Sequence, residues 1–432
     1  MRKQAFESVY NTLEKGDNIR YNSDERFVKR LVYGTVERAI ELDHIIDHFA
    51  SKNIADMDDN LRTILRMGAY EIIYMDSVPE SATCNEMCNL AKKVCEKYVP
   101  VVNGILRNIA RADIEEVREE ISKSIRDVVK KLSFLYSTPE NLVKLLIDSY
   151  GKKTAKKIMA SFYDDKQISL RAFTKNATVS KVRELFEANG IETIDSEYNP
   201  NMFLIESQSV EKLPGFAEGY FTVQDESASL PVMVAGAKGR DCIVMDVCAS
   251  PGGKTFQMAD LVGPNGIVYA GDKTDEKVRL IESGIKRLGI SNVKTAVRDA
   301  LVDHPDQTEM ADIVICDVPC SGIGVIGKKP EIKYHAVERC QELIEYQRQI
   351  VRSSVGVLKP GGTFIYSTCT INPAENEDNA RWIEEELGLE PVSLDEYLPE
   401  KLVNKMTGKG MLTMLPGIHR GDGFFVAKFR KV

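Results

Sequence analysis

The second half of the chain alternates short apolar strands with amphipathic helices, and this pattern restricts the fold more than any other feature of the sequence. From about residue 214, six segments have the composition of strands: CIVMDVC, GIVYAGD, VKTAVR, ADIVICDV, GTFIYST and GFFVAKFR. Between them, DEKVRLIESGIKRLG and YHAVERCQELIEYQRQIVRSSVGVL have helical periodicity. Such alternation is typical of a mostly parallel, doubly wound sheet that binds its ligand at the carboxyl ends of the strands.

The first 125 residues are predicted to form an all-helical bundle. Apolar residues recur three and four positions apart in AFESVYNTL, RFVKRLVYGTVERAIELDHIIDHF, NLRTILRMGAYEIIYM and CNEMCNLAKKVCEKY. Pro79 separates the last two of these segments, and we expect Ser81 or Thr83 to cap the helix that follows it.

The charge of the chain is unevenly distributed. The formal net charge is −8, yet residues 121–183 contain 14 Lys or Arg against 5 Asp or Glu, a local excess of +9. In this stretch KKLSFLYS and YGKKTAKKIMASFY interleave lysines with aromatic residues, a composition suited to following a phosphate backbone. We therefore expect three domains: a helical domain at 1–125, a basic, RRM-like α+β segment at 126–213 and the doubly wound domain at 214–432.

Length and cysteine content indicate a cytoplasmic protein. No run approaches the roughly 20 apolar residues of a membrane span, and the N-terminal residues lack the apolar core of a secretory signal. Nine cysteines are too few for a disulfide scaffold in 432 residues, so thiols are expected.

Cys84, Cys88 and Cys95 recur at helical intervals, but no histidine lies nearby and no CxxC pair is present. An apolar helix face is favoured there, and no metal site is expected.

The turn VMDVCASPGGKT, after the first strand, is suited to a nucleoside. It is not a phosphate-binding P-loop, because Cys248 stands where that motif requires glycine. Gly252 and Gly253 allow the backbone to approach a ligand closely. The next strand ends at Asp272, placed for ribose hydroxyls, and the third ends before Asp299, placed for an adenine edge. An adenosine without phosphates fits this arrangement better than a dinucleotide.

Two later strands each end beside a cysteine. Cys320 lies in DVPCSGIG and Cys369 lies in STCT. Cysteine has both a substantial thiolate fraction near neutral pH and high nucleophilicity. Two thiols at the ligand-binding edge of one sheet indicate an enzyme that attacks its substrate covalently.

In order along the chain, DVCASPGGKT, GD, RDA, DVPCSGIG and YSTCT resemble the motifs of the S-adenosylmethionine-dependent RNA cytosine-C5 methyltransferases. In the first 110 residues, LRMGAYEIIYM, VPES and VNGILRNIAR resemble the RNA-binding fold of the antitermination factor NusB. Together they are similar to the RsmB (Sun/Fmu) branch, which modifies bacterial 16S rRNA. The resemblance implies a class I, Rossmann-like domain with a mostly parallel seven-stranded sheet, preceded by an all-α NusB-like bundle and a small α+β linker domain.

The resemblance also implies roles for individual residues. Cys369 would be the nucleophile and Cys320 the assisting thiol, and Asp317 could hold the amino edge or N3 of the base. Phe173 stands where the family usually has Asn, and Ser250 where it usually has Ala. The S-adenosylmethionine pocket would comprise Cys248, Ala249, Ser250, Pro251, Gly252, Gly253, Lys254, Asp272, Asp299 and Asp317.

The chemistry of cytosine explains why thiols are needed. C5 is too weak a nucleophile to take a methyl group until a thiolate has added at C6, and the base must also be turned out of its stack. The implied partner is 16S rRNA, naked or in an early small-subunit particle, with a cytosine of the 967 type as target. No membrane and no obligate protein partner are implied. Two alternatives stay open: a transfer RNA cytosine as the target, or an RNA-binding assembly factor with a vestigial catalytic domain.

Overall fold

The computed structural model describes residues 1–21, 25–164, 167–206 and 208–432. Each compact part of the protein has its own buried apolar core. Within the described residues, the search for a helix long and apolar enough to cross a membrane finds none.

The chain forms two compact units. The first consists of Met1–Phe162 together with Ile326–Val337, and the second of Tyr163–Val325 together with Glu338–Val432. The predicted segment 126–213 is thus divided between them. The three-domain division stays a prediction, because compactness alone does not show which parts of a chain fold independently.

The first unit is helical, as the apolar spacing predicts, and α2 has the bounds of the segment RFVKRLVYGTVERAIELDHIIDHF. Its helices are α1 (Arg2–Lys15), α2 (Arg26–Phe49), α3 (Asp59–Tyr74), α4 (Glu80–Val94), α5 (Val99–Arg111), α6 (Ile114–Ser124), α7 (Val128–Leu135) and α8 (Glu140–Ser161).

The predicted cap of α4 is wrong. The helix begins at Glu80 with Pro79 at the N-cap, so Thr83 lies inside the first turn. Thr83 is fully buried, and its hydroxyl donates to Glu71 Oε1 at 2.7 Å. The buried Glu71 carboxylate needs donors, and satisfying it outweighs capping by Thr83.

The second unit begins with a small antiparallel sheet and one helix. The strand order is β2-β3-β1-β4. Phe186 of the helix packs edge-on against aromatic rings of β3 and β4. The elements are β1 (Ile168–Ala172), α9 (Val179–Glu187), β2 (Ile194–Asp195), β3 (Met202–Ile205) and β4 (Phe221–Val223).

The remainder of the second unit is the predicted doubly wound sheet. All six predicted strands are present. The sheet has eight strands rather than the seven that the resemblance implies, because two short strands pair with β12: the order is β10-β12-β9-β8-β5-β6-β7, and β11 also pairs with β12. The five strands from β9 to β7 are parallel, and β12 is antiparallel to β9. The elements are α10 (Leu230–Val234), β5 (Ile243–Asp246), α11 (Gly253–Leu261), β6 (Ile267–Asp272), α12 (Asp275–Leu288), β7 (Val293–Val297), β8 (Ala311–Asp317), α13 (Ala336–Gly356), β9 (Leu358–Thr368), α14 (Glu377–Leu387), β10 (Glu390–Pro391), β11 (Met411–Met414) and β12 (Phe424–Arg430).

The central strands are covered on both faces. In β8, Ile313 and Ile315 belong to one apolar core, while Val314 and Cys316 belong to the other. Because both faces are buried, the polar side chains are confined to the strand ends. The register pairs Asp317 with Ser367, so the carboxyl ends of β8 and β9 lie side by side.

Candidate active site

The two predicted thiols meet at the carboxyl edge of the sheet. Cys320 follows the end of β8 by three residues and Cys369 follows β9 directly, and their Sγ atoms are 3.3 Å apart. The pKa of Cys320 is raised well above its ordinary value by the hydrogen bond with Cys369 and by burial. Cys320 is therefore a protonated thiol at neutral pH and a weaker nucleophile than a thiolate.

A partly buried ion pair lies beside the thiols. Lys254 Nζ donates to Asp317 Oδ2 at 2.6 Å, and Ser367 Oγ donates to Asp317 Oδ1 at 2.7 Å. Burial lowers the pKa of Lys254, but attraction to Asp317 outweighs it and the net pKa is raised. The ammonium also interacts electrostatically with Cys369, so its positive charge favours a thiolate there.

Glu375 connects the two cysteine loops, and the sequence reasoning missed it. Its side chain is fully buried. The carboxylate accepts hydrogen bonds from the amide of Ser321 at 2.9 Å, from Gln347 of α13 at 2.8 Å and from Asn372 at 3.1 Å. One side chain thereby fixes the residue after Cys320 to the segment after Cys369. The available signal was an acidic residue in INPAENE, directly after the STCT motif.

Asp272 braces the glycine turn. Its Oδ2 accepts from the amide of Ser250 at 3.0 Å, and its Oδ1 accepts from the amide of Lys273 at 2.8 Å and from Lys277 Nζ at 2.9 Å. A carboxylate has about four acceptor positions in all, so Asp272 retains capacity for a ribose hydroxyl.

Gly252 is required by packing as well as by conformation. Its φ of +111° lies in the region that favours glycine, and a Cβ there would lie 2.3 Å from the ring of Phe256. Phe173 is buried in the same apolar cluster as Ala249 and Phe256. Phe173 therefore makes an apolar contact beneath the turn. The Asn that the resemblance implies at this position would make a polar one.

A cavity of about 240 Å³ opens beside the turn. Seven of the ten residues predicted for the cofactor line it, whereas Gly252, Asp272 and Asp299 do not. Asp299 instead accepts from the amide of Leu301 and pairs with Lys273. Its pKa is lowered, chiefly by that backbone hydrogen bond. The lining residues are Val223, Gln224, Asp225, Ala228, Asp246, Cys248, Ala249, Ser250, Pro251, Gly253, Lys254 and Asp317.

Asp246 is the most deeply buried carboxyl of this cavity. It is 1% exposed, and its Oδ2 accepts from Thr255 Oγ1 at 2.7 Å. Burial raises the pKa of Asp246 to about 7. Asp246 and Asp317 both line the cavity, and this pair of carboxyl groups suits a ligand that carries positive charge.

Two protein families match separate parts of the chain. The family described as 16S rRNA methyltransferase RsmB/F matches residues 234–430, and the NusB family matches residues 1–111. Over 94% of its length the chain is 34% identical to a protein of Synechocystis sp. (strain ATCC 27184 / PCC 6803 / Kazusa), named probable ribosomal RNA small subunit methyltransferase B, and covers 91% of it. A protein of the same name from Bacillus subtilis (strain 168) is 32% identical over the whole chain, which covers 96% of it.

Solved structures share the fold. The crystal structure of PH0851 has a TM-score of 0.79 at 24% identity, covering 99% of this chain and 98% of that one. The structure of NSun6 from Pyrococcus horikoshii with SFG has a TM-score of 0.62 at 22% identity, covering 69% of this chain and 99% of that one. At these identities the likeness shows the architecture alone.

Proposed function

Because the chain belongs to the RsmB/F family of S-adenosylmethionine-dependent rRNA methyltransferases, we propose that it methylates C5 of one cytosine in 16S rRNA. The proposed target is of the cytosine-967 type. The reaction would proceed through a covalent bond between Cys369 and C6 of the base. The relatives that match the whole chain are named for the small ribosomal subunit, which favours this RNA over transfer RNA.

The observation that carries the proposal is the pair of Sγ atoms 3.3 Å apart beside Lys254. A single cysteine at a strand end is usually a small core residue. Two partly buried thiols in contact, with an ammonium group near one of them, are instead suited to act as a nucleophile and an assisting thiol. A vestigial catalytic domain has no need of this arrangement.

The proposed reaction consists of an addition at C6, a methyl transfer at C5 and a release. The Cys369 thiolate forms a bond to C6, and the electron pair of the C5–C6 double bond moves towards C5, N3 and the exocyclic edge. Asp317, held by Lys254 and Ser367, receives the base at that edge. After C5 has gained a methyl group, the C5 proton leaves to solvent, the electron pair of the C5–H bond re-forms the C5–C6 double bond, and Cys369 leaves C6 as a thiolate. Cys320 assists this last step from beside the leaving thiolate.

The residues of the glycine turn fit the cofactor. All residues of the turn Cys248–Lys254 except Gly252 line the cavity, together with the carboxyl groups of Asp246 and Asp317. Asp272 accepts a hydrogen bond from the turn at the amide of Ser250. When bound, S-adenosylmethionine supplies the methyl group as an electrophilic carbon. Within the chain, Gly252 permits the backbone conformation of the turn, and pairing with Asp317 keeps Lys254 charged.

Methyl incorporation into purified 16S rRNA tests the function. The full chain is incubated with methyl-labelled S-adenosylmethionine, and the RNA is digested for nucleoside mass spectrometry and sequenced after bisulfite treatment. We expect 5-methylcytidine at one position. Label in transfer RNA alone would support the transfer RNA alternative, and absence of label from both RNAs would support a non-catalytic assembly role.

A further inference from the structure

Cys320 and Cys369 are close enough to form a disulfide bond with each other. Their Sγ atoms are 3.3 Å apart, against about 2.0 Å in a disulfide, so they need to approach by only about 1.3 Å. Each cysteine lies in the segment that follows a strand, and rotation about the Cα–Cβ bonds can supply this movement. Both side chains are partly exposed, so a small oxidant in solution can reach them.

The two segments that carry these thiols are also held together by hydrogen bonds that do not involve sulfur. The amide of Gly324 donates to the carbonyl oxygen of Cys369 at 3.2 Å. The hydroxyl oxygens of Ser321 and Thr370 are 2.7 Å apart, and the amide of Ser321 donates to Glu375 at 2.9 Å. These contacts keep the sulfur atoms together before any oxidation, so little conformational entropy is lost when a bond forms between them.

The surroundings give the two thiols different parts in an oxidation. The ammonium group of Lys254 favours a thiolate at Cys369, and the thiolate rather than the thiol attacks a peroxide. The product of that attack is a sulfenic acid, which condenses with a neighbouring thiol. Cys320 is in contact with Cys369 and provides that thiol.

We propose that Cys320 and Cys369 form a reversible oxidative modification site, at which hydrogen peroxide converts the two thiols to a disulfide. In the first step a bond forms between Cys369 Sγ and one peroxide oxygen, the O–O bond breaks, and the hydroxide that leaves takes up a proton. In the second step Cys320 Sγ bonds to Cys369 Sγ, the S–O bond breaks, and the hydroxide takes the proton of the Cys320 thiol. The cysteines lose two electrons and two protons, and the peroxide is reduced to two molecules of water.

The disulfide would switch off methyl transfer, because it removes the thiolate that adds to C6. A thiol reductant would restore both cysteines and the activity. This consequence rests on the proposed function, in which Cys369 is the nucleophile, whereas formation of the disulfide does not.

Mass spectrometry of the full chain tests the modification. The protein is treated with hydrogen peroxide, alkylated without reduction and digested. We expect a cross-linked pair of peptides that contains Cys320 and Cys369 and disappears after treatment with dithiothreitol. In parallel, methyl transfer to 16S rRNA should fall by at least about 10-fold on oxidation and return after dithiothreitol, because the sulfur of a disulfide is not a thiolate nucleophile. Cys88→Ala, which removes a partly exposed thiol from α4, should leave both results unchanged.

A second variant, Cys320→Ser, separates the two oxidation steps without depending on activity. Without the second thiol, the sulfenic acid at Cys369 should persist and be labelled by dimedone. Wild-type protein should take up at least about 10-fold less label at Cys369, because condensation with Cys320 removes the sulfenic acid.

The remaining outcomes distinguish the modification site from the proposed function. Wild-type protein that gives no cross-linked peptides, and whose Cys369 proceeds to a sulfinic acid, would overturn the site. Equal dimedone labelling of Cys369 in wild type and Cys320→Ser would overturn the part given to Cys320. Full methyl transfer by the cross-linked protein would overturn the switch. Cross-linked peptides from a protein that transfers no methyl group even when reduced would contradict the proposed function and support the site.

Discussion

At the scale of single residues, the contact between Cys320 and Cys369 gives the two thiols separable roles. With Cys369→Ala, we expect loss of methyl transfer by at least about 10³-fold, because removal of a nucleophile leaves only binding and positioning. With Cys320→Ala, addition and methyl transfer should still occur, but a covalent protein–RNA complex should accumulate because release is slowed. Denaturing gels with labelled RNA should show a retarded band for Cys320→Ala only.

The opposite gel pattern would show that the roles are exchanged, with Cys320 as the nucleophile and Cys369 as the assisting thiol. No retarded band with either variant, alongside active wild-type enzyme, would leave the release role of Cys320 unsupported. Cys242→Ala is the matched control, because this thiol is buried in an apolar core and should change neither methyl transfer nor adduct formation.

Asp246 should make stability depend on pH. Its pKa is raised to about 7 from 3.8 by burial, so between these values the folded protein keeps a proton that the unfolded chain has lost. Stability contributed by Asp246 should therefore fall as pH rises, by about 1.4 kcal/mol per unit and about 4 kcal/mol in all. Relative to wild type, Asp246→Asn should become more stable from pH 4.5 to 7 in denaturant titrations.

Asp299→Asn is the control for this titration. The backbone hydrogen bond from Leu301, helped by attraction to Lys273, outweighs burial and leaves the pKa of Asp299 below 3.8, so its contribution is constant above pH 4.5 and is lost only in acid. Parallel curves for Asp246→Asn and wild type would show that Asp246 is ionised in the folded protein.

The sequence indicated the residues of the site that carry a motif, but not those that hold the motif in place. Cys320 and Cys369 stand beside strand ends, where pattern and chemistry agree. Glu375 was missed, because an acidic residue after a motif does not by itself show a role, and this role depends on three donors that only the folded chain brings together. Gln224 was missed because it directly follows β4, which is three residues long and too short to show a period.

At the scale of elements, Glu375 determines how the loops after β8 and β9 meet. In Glu375→Gln, the new amide group would face donors, so we expect a loss of about 2–3 kcal/mol of stability. Displacement of the thiols should slow methyl transfer by roughly 10- to 100-fold even where the protein is fully folded. Rates measured well below the denaturation midpoint, with exposed Glu384→Gln on α14 as control, separate the two effects. A normal rate in folded Glu375→Gln would limit this residue to stability.

The backbone of helix α2 forms hydrogen bonds with side chains of two later segments of the chain. Ser137 Oγ accepts from the amides of Ile40 and Glu41 at 3.1 and 3.2 Å. The carbonyls of Glu37 and Val36, four residues before these amides, also accept from the side chains of Lys333 and Tyr334, each at 2.6 Å. The segment Ile326–Val337, which follows the Pro-Cys loop in sequence, is thereby fixed within the first unit.

Ser137→Ala should destabilise the first unit. The hydroxyl is buried and serves two amides, so its loss should cost about 1–3 kcal/mol. Ser124→Ala removes an exposed hydroxyl that bonds only within the end of α6 and should cost less than about 0.5 kcal/mol. Denaturation followed by circular dichroism compares the two variants. Equal denaturation midpoints for Ser137→Ala and Ser124→Ala would show that the Ser137 hydroxyl does not stabilise α2.

Element prediction succeeded where one face or both faces of a long segment are buried. The 24 residues of α2 and the strands β5, β6 and β8 follow their apolar spacing. The strands β10 and β11 were not predicted, because two and four residues are too short to show a period and their pairing with β12 is a tertiary choice. No local pattern signals that residues 326–337 leave one unit for the other.

At the scale of the whole molecule, the structure shows where a large part of the excess positive charge of residues 121–183 lies. The chain is acidic, yet Lys144, Lys152, Lys153, Lys156 and Lys157 are all exposed on α8. The helix is interrupted at Gly151, whose φ is +75°, so the last four of these lysines lie on its second half. A set of exposed lysines that spans barely two turns can contact several phosphates of one strand.

These lysines lead to a prediction about salt. In the full chain, replacing Lys152, Lys153, Lys156 and Lys157 together by Gln should weaken binding of 16S rRNA and reduce the slope of log K against log salt by about 3, because each lost phosphate contact removes about 0.7–0.9 of slope. Affinity for S-adenosylmethionine should not change. The matched control replaces four exposed lysines elsewhere, which removes the same charge: Lys29, Lys286, Lys405 and Lys409. If both quadruple variants lowered the slope equally, net charge rather than α8 would govern RNA binding; if neither did, the RNA would contact another surface.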